Sequence, residues 1–192
     1  RLAVCTVLLA ALPIYGLAFR LFTANHYYSV GVALMNLQQP YAALPAFSDA
    51  IARNPFLSEY RQYRANVFAM TLDLSKRFAP ALGDRSTPRT DFERAQDDFK
   101  FVQIHNPNHA LLAQDRGQFY YTLAMRHLNQ VQQTPNQAFL YNQLATENFA
   151  QAKQCFIQAL RLDPVNPSTY ALLTNMALLR HDYQEAQHWI NL

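Results

Sequence analysis

The stretch ALPAFSDAIARNP, Ala43 to Pro55, decides the fold, because its spacing of Ala, Phe, Ala and Pro comes back twice further along the chain. Ala43, Phe47, Ala50 and Pro55 stand at relative offsets 0, 4, 7 and 12. Ala152, Phe156, Ala159 and Pro164 repeat those offsets without change, and Ala95, Phe99, Val102 and Pro107 repeat them with Val for the second Ala. Offsets of 4 and 7 share one face of a helix. The spacing predicts helices whose small residues admit a close partner helix, whose Phe fills the gap, and which stop at Pro.

Working backwards from Pro55 gives an independent check on the first helix of the unit. With Pro55 at position 32 of a unit of about 34 residues, the unit begins at Ala24. Tyr27, Val30, Gly31 and Leu34 then fall at positions 4, 7, 8 and 11. With Ala43, Phe47, Ala50 and Pro55 at 20, 24, 27 and 32, the stretch resembles the tetratricopeptide repeat at all eight signature positions. That resemblance implies an all-α, right-handed solenoid of antiparallel helix pairs. Position 8 is where the two helices cross, and Gly31 there leaves room for the crossing. A unit beginning at Ala110 places Gly117 at the same position.

The units are expected at about 24–57, 58–109, 110–166 and 167–192. Pro55 to Pro107 is 52 residues and Pro107 to Pro164 is 57, so the second and third units carry insertions. In the second unit the extra residues fall at Ser75 to Thr90, SKRFAPALGDRSTPRT, which reads as a loop. In the third they fall around Gln130 to Glu147, where Pro135 breaks the chain and AFLYNQLATENF can extend the second helix backwards. The fourth unit places Tyr170 at position 4 and Ala186 at 20, and stops inside its second helix. With no Met at the start either, both ends are expected to continue into a longer protein.

Ahead of the repeats, Leu2 to Phe19 runs eighteen residues without a charge, bracketed by Arg1 and Arg20. As a helix it would be about 27 Å long, close to the hydrocarbon thickness of a bilayer. Residues 1–22 are therefore expected to form a transmembrane helix, with the terminal arginines reaching the headgroups. A buried first helix and a secretory signal processed after Ala18 remain open alternatives.

The bulk composition excludes several classes. Of 16 basic residues, 14 lie outside the Arg1 and Arg20 bracket and face 13 acidic ones. No clustered basic face marks a nucleic-acid surface. Cys5 and Cys155 have no metal-ligand spacing. His105 and His109 straddle an inter-repeat turn, and His181 and His188 fall on different elements, so neither pair suggests a metal. Asp97 and Asp98 read as a solvated helix face. No phosphate loop, nucleophile elbow or base-paired nucleophile is present, and Asp84 and Arg85 in the inserted loop do not form one. No catalytic residue, metal or cofactor is expected in this chain.

In the tetratricopeptide family, positions 2, 5, 9 and 12 of each unit line a concave groove. The resemblance implies that Tyr28, Gln62, Asn66, Gln114, Gln118, Tyr121 and Asn175 face a protein or peptide partner. Side-chain amides there both donate to and accept from an extended backbone, and the scarcity of charge argues against an acidic C-terminal peptide. Tyr28, Tyr121 and Met35 read equally as packing between repeats.

The order of features, an apolar segment, a short Arg20 to Asn25 junction, a first repeat followed by NPFLSEYR and two units with long insertions, resembles the end of bacterial O-antigen ligase or polymerase-like envelope proteins and of protein-glycosylating oligosaccharyltransferases. That resemblance implies a non-catalytic interaction domain of a glycan-transferring enzyme, positioning acceptor or assembly partners, at a bacterial inner membrane with the repeats on the periplasmic side. The alternatives are a membrane-anchored scaffold with no enzyme attached, and an exported soluble repeat protein.

Overall fold

A computed structural model describes residues 2–71 and 91–192, with side chains from Leu12 onward. The described residues contain eight α-helices and one short 3-10 turn, and no strand. They form two compact units, residues 1–71 and 72–192. The expected loop at Ser75 to Thr90 lies outside the described residues.

The first unit holds α1 (Leu2–Asn36), α2 (Pro40–Arg53) and α3 (Ser58–Thr71). Ala24 on α1 packs with Ala50 and Ile51 on α2, whereas Val32, Leu34 and Met35 pack around Ala43 and Phe47. Rising numbers on α1 meet falling numbers on α2, so the two helices are antiparallel. On α3, Tyr60 joins the Ala24 cluster while Tyr63 and Val67 join the Phe47 cluster, which sets α3 parallel to α1. The turn after α1 closes with Gln39 N donating to Leu34 O and Gln38 N to Met35 O, with Gln38 in the left-handed region at φ 57°. Pro40 then opens α2, where its missing N–H costs nothing.

Small residues admit the close approach in both units. At Gly31 a Cβ would lie 2.7 Å from Cε1 of Phe47, and at Gly117 it would lie 2.5 Å from Cε1 of Phe156. The two phenylalanines are fully buried, as are Ala43, Ala50 and Ala152. Pro55, Pro107 and Pro164 each lie two residues beyond the end of their helix, which stops at Arg53, His105 and Leu162 respectively.

The second unit holds α4 (Asp91–His105), α5 (Ala110–Gln133), α6 (Ala138–Leu162), α7 (Pro167–Leu179) and α8 (Tyr183–Ile190), with the 3-10 turn Pro135–Gln137 between α5 and α6. The insertion expected around Gln130 to Glu147 is absorbed by lengthening both helices: α5 has 24 residues and α6 has 25, against 14 for α2 and α3. The added turns are paired, with the His127 ring 5.9 Å from that of Tyr141; nearer the repeat core, Tyr121 lies 6.1 Å from Phe149. Phe99 of α4 packs on Phe119 of α5 at 5.3 Å.

The helix α1 runs through the Arg20 to Asn25 junction without interruption. One expectation meets a different structure. Asp97 is exposed as expected, but Asp98 is fully buried beside Phe99. Its i+3 spacing from Ala95 puts Asp98 on the buried stripe of α4. Among the described residues no helix is long and apolar enough to cross a membrane. The side chains of residues 1–11, half of the expected span, lie outside those described.

Candidate partner-binding surface

The residues assigned to the partner face divide into packed and open groups. Tyr28 belongs to the first: its ring lies 6.0 Å from Phe47, 5.1 Å from Tyr60 and 5.2 Å from Tyr63. Burial and a hydrogen bond to Tyr63 push its phenol well above the ordinary tyrosine value. Val32 and Met35 pack on the same cluster, and Ala69 is buried. Gln62 and Asn66 are half-buried on α3. Tyr28 therefore holds three helices together, which leaves its ring little freedom to meet a ligand.

In the second unit Gln114 is committed to the α6–α7 turn. Its Oε1 accepts from Asn166 Nδ2 at 3.2 Å and from Thr169 Oγ1 at 3.4 Å. Asn166 also caps α7 by accepting from Thr169 N at 3.3 Å. Tyr121 is half-buried against Phe149, and burial raises its phenol. Gln118 and Asn175 are exposed.

Asn175 opens on a groove of about 660 Å³ between α7 and α8. The rings of Tyr170 and Trp189, tilted against each other at 6.5 Å between centroids, line it together with residues that include Pro164, Ala171, Thr174, Ile190 and Leu192. Sequence reasoning named Asn175 but missed the groove, because Trp189 reaches it only through the packing of α8. That packing is fixed at Glu185. Its carboxylate accepts from Lys153 Nζ of α6 at 2.7 Å and from Trp189 Nε1 at 3.1 Å. Burial alone would raise this carboxyl, but those two hydrogen bonds and the charges of Lys153 and Arg180 outweigh it and hold it below the ordinary value. Asp182 caps the same helix, accepting from Glu185 N at 3.0 Å.

A second cavity, lined by Phe99, Gln103, Leu112 and Arg116, measures about 10 Å³ and is too small for anything beyond a single water. No group of three or more His, Cys, Asp or Glu side chains among the described residues is arranged to hold a metal ion.

No protein-family model matches the chain, and no curated protein matches it. Among solved structures, it is similar to one titled as the functional characterisation of Pseudomonas aeruginosa pilF, at 17% identity over 90% of this chain and 75% of that one, with a TM-score of 0.40. It is similar at 17% identity to MamA from Desulfovibrio magneticus RS-1, over 88% of this chain and 92% of that one, with a TM-score of 0.40. PilW, described as a widely conserved type IV pilus biogenesis factor, is 16% identical over 88% of this chain and 74% of its own, with a TM-score of 0.39.

Proposed function

We propose that residues 24–192 form a tetratricopeptide-type protein-interaction domain, attached to a membrane by the helix that leads into it, and that it binds an extended peptide or protein segment. The observation that carries the binding role is the groove at Asn175, where an exposed amide lines the same surface as the paired rings of Tyr170 and Trp189. An amide satisfies both edges of a peptide backbone, and the rings supply apolar area at low entropic cost. The repeat assignment is supported by the two Gly–Phe crossings, which occupy the signature positions of the first and third units.

Membrane attachment is supported by the lower part of α1. Leu12, Ile14, Tyr15, Leu17, Phe19 and Phe22 are all more than half exposed. A helix apolar on every side has no stable place in water unless something apolar surrounds it. On the order of its features, the parent is an O-antigen ligase-like or protein-glycosylating envelope enzyme, and this domain positions its acceptor or an assembly partner outside the cytoplasm.

Selection of peptides from a display library against the full chain tests the binding role. Binders should lose affinity on Asn175→Ala while the thermal melt stays unchanged. A panel of binders indifferent to Asn175→Ala and Gln118→Ala would remove the groove assignment.

A further inference from the structure

The loop between α2 and α3 shares one end of the first unit with the apolar part of α1. Ala24 packs against Ala50, Ile51 and Tyr60. The chain from Ile51 to Tyr60 therefore leaves that level and returns to it, turning on the side of Ala24 toward residue 2. Arg20 marks the depth of the turn: its Nη2 donates to Ala52 O at 3.0 Å, tying the last turn of α2 to α1 one helical turn before Ala24. Arg53 is fixed beside it, 4.1 Å over the ring of Tyr27 and paired with Asp49 at 3.1 Å.

What this held loop presents is apolar. Phe56 is 81% exposed and Leu57 is 38% exposed, at the same end as Phe19 and Phe22. Arginines beside exposed aromatic rings suit the headgroup layer of a bilayer, where the cation meets phosphate and the ring meets the upper acyl chains.

We infer that the α2–α3 loop is a second membrane contact, with Phe56 entering the interfacial layer of the same bilayer that surrounds the lower part of α1. This rests on the membrane attachment proposed above. The tie from Arg20 to Ala52 positions the loop, so the first helix pair stands on the membrane at two points and its orientation to the bilayer is fixed. Leu37, 67% exposed in the α1–α2 turn, lies at the opposite end, about 25 Å further along α1.

The test uses the full chain reconstituted into vesicles of phosphatidylethanolamine and phosphatidylglycerol, with and without brominated acyl chains. Phe19→Trp, Phe56→Trp and Leu37→Trp are compared, and the signal of the native Trp189 is subtracted with the unsubstituted protein. The inference expects bromine quenching at residue 56 comparable to that at residue 19 and several-fold above that at residue 37. Quenching at 19 with 56 no more quenched than 37 would overturn the loop contact and keep α1 in the membrane, leaving Phe56 to meet a protein instead. Absence of quenching at residue 19 would overturn both readings.

Discussion

Gly117 and Phe156 stand so close across the α5–α6 hairpin that a Cβ at residue 117 would lie 2.5 Å from Cε1 of the ring. Phe156 is fully buried, so the ring cannot swing into solvent to make room. Alanine gains about 1 kcal/mol over glycine in helix propensity, but overpacking a tight core costs about 1 to 3 kcal/mol. Gly117→Ala is therefore expected to destabilise on balance, and Gly117→Leu by a further margin. Adding Phe156→Leu to Gly117→Ala should recover part of the loss, a coupling of at least about 0.5 kcal/mol in a urea-denaturation cycle. Strict additivity would mean that the two residues do not set the crossing.

Tyr28 separates packing from binding on the face that sequence assigned to a partner. Tyr28→Ala should cost about 2 to 3 kcal/mol, somewhat below the range for a fully buried aromatic, whereas Asn175→Ala should stay within about 0.5 kcal/mol of the native chain. The raised phenol also has a pH signature. A tyrosine whose folded value lies above its unfolded one contributes fully below about pH 10 and loses that contribution as pH rises further. Tyr28→Phe should flatten the alkaline fall in stability; an unchanged alkaline limb would place the effect elsewhere.

Glu185 gives the opposite sign. Its carboxyl is held below the ordinary value of about 4.3, so its contribution is complete above that pH and disappears as pH falls through the lower folded value. Lys153 is 35% exposed, which limits the pair to about 1 kcal/mol after solvent screening. Glu185→Gln should lower the neutral-pH stability by no more than that and reduce the slope of acid unfolding, followed by Trp189 fluorescence.

His181 ends α7 in the left-handed region at φ 57°, with Asp182 N donating to Ala177 O at 2.9 Å and His181 N to Leu178 O at 3.0 Å. A β-carbon there costs roughly 1 to 2 kcal/mol, partly offset by the extra chain entropy that glycine loses. His181→Gly should raise stability by up to about 1 kcal/mol in thermal denaturation. A loss would show that the imidazole makes a contribution beyond the turn.

The helix pairs were legible in the sequence because the crossing is set by residues at fixed offsets within a single hairpin. Spacing alone found Phe47 and Phe156, and the tetratricopeptide resemblance supplied Gly31 and Gly117 as their partners. The buried Asp98 was also open to that reading, since it stands three residues after Ala95 on the same stripe. The lengthened ends of α5 and α6 were half legible: the backward extension of α6 was, but the continuation of α5 to Gln133 was not, because its polar run carries no apolar stripe to mark a buried helix face. The hydrogen bond from Arg20 to Ala52, the commitment of Gln114 to the α6–α7 turn and the Lys153–Glu185–Trp189 contact join different helices. No offset along one helix encodes them, and with them went the groove beside Asn175.

Photo-crosslinking in native membranes tests the proposed interaction role most directly. A benzophenone side chain replaces Asn175, Gln118 or, as an exposed control away from the groove, Phe139, which is 85% exposed. A discrete adduct from residues 175 and 118 that residue 139 does not form is the result predicted for a partner held on this face. Equal labelling from all three positions, or none from 175 and 118, would contradict it.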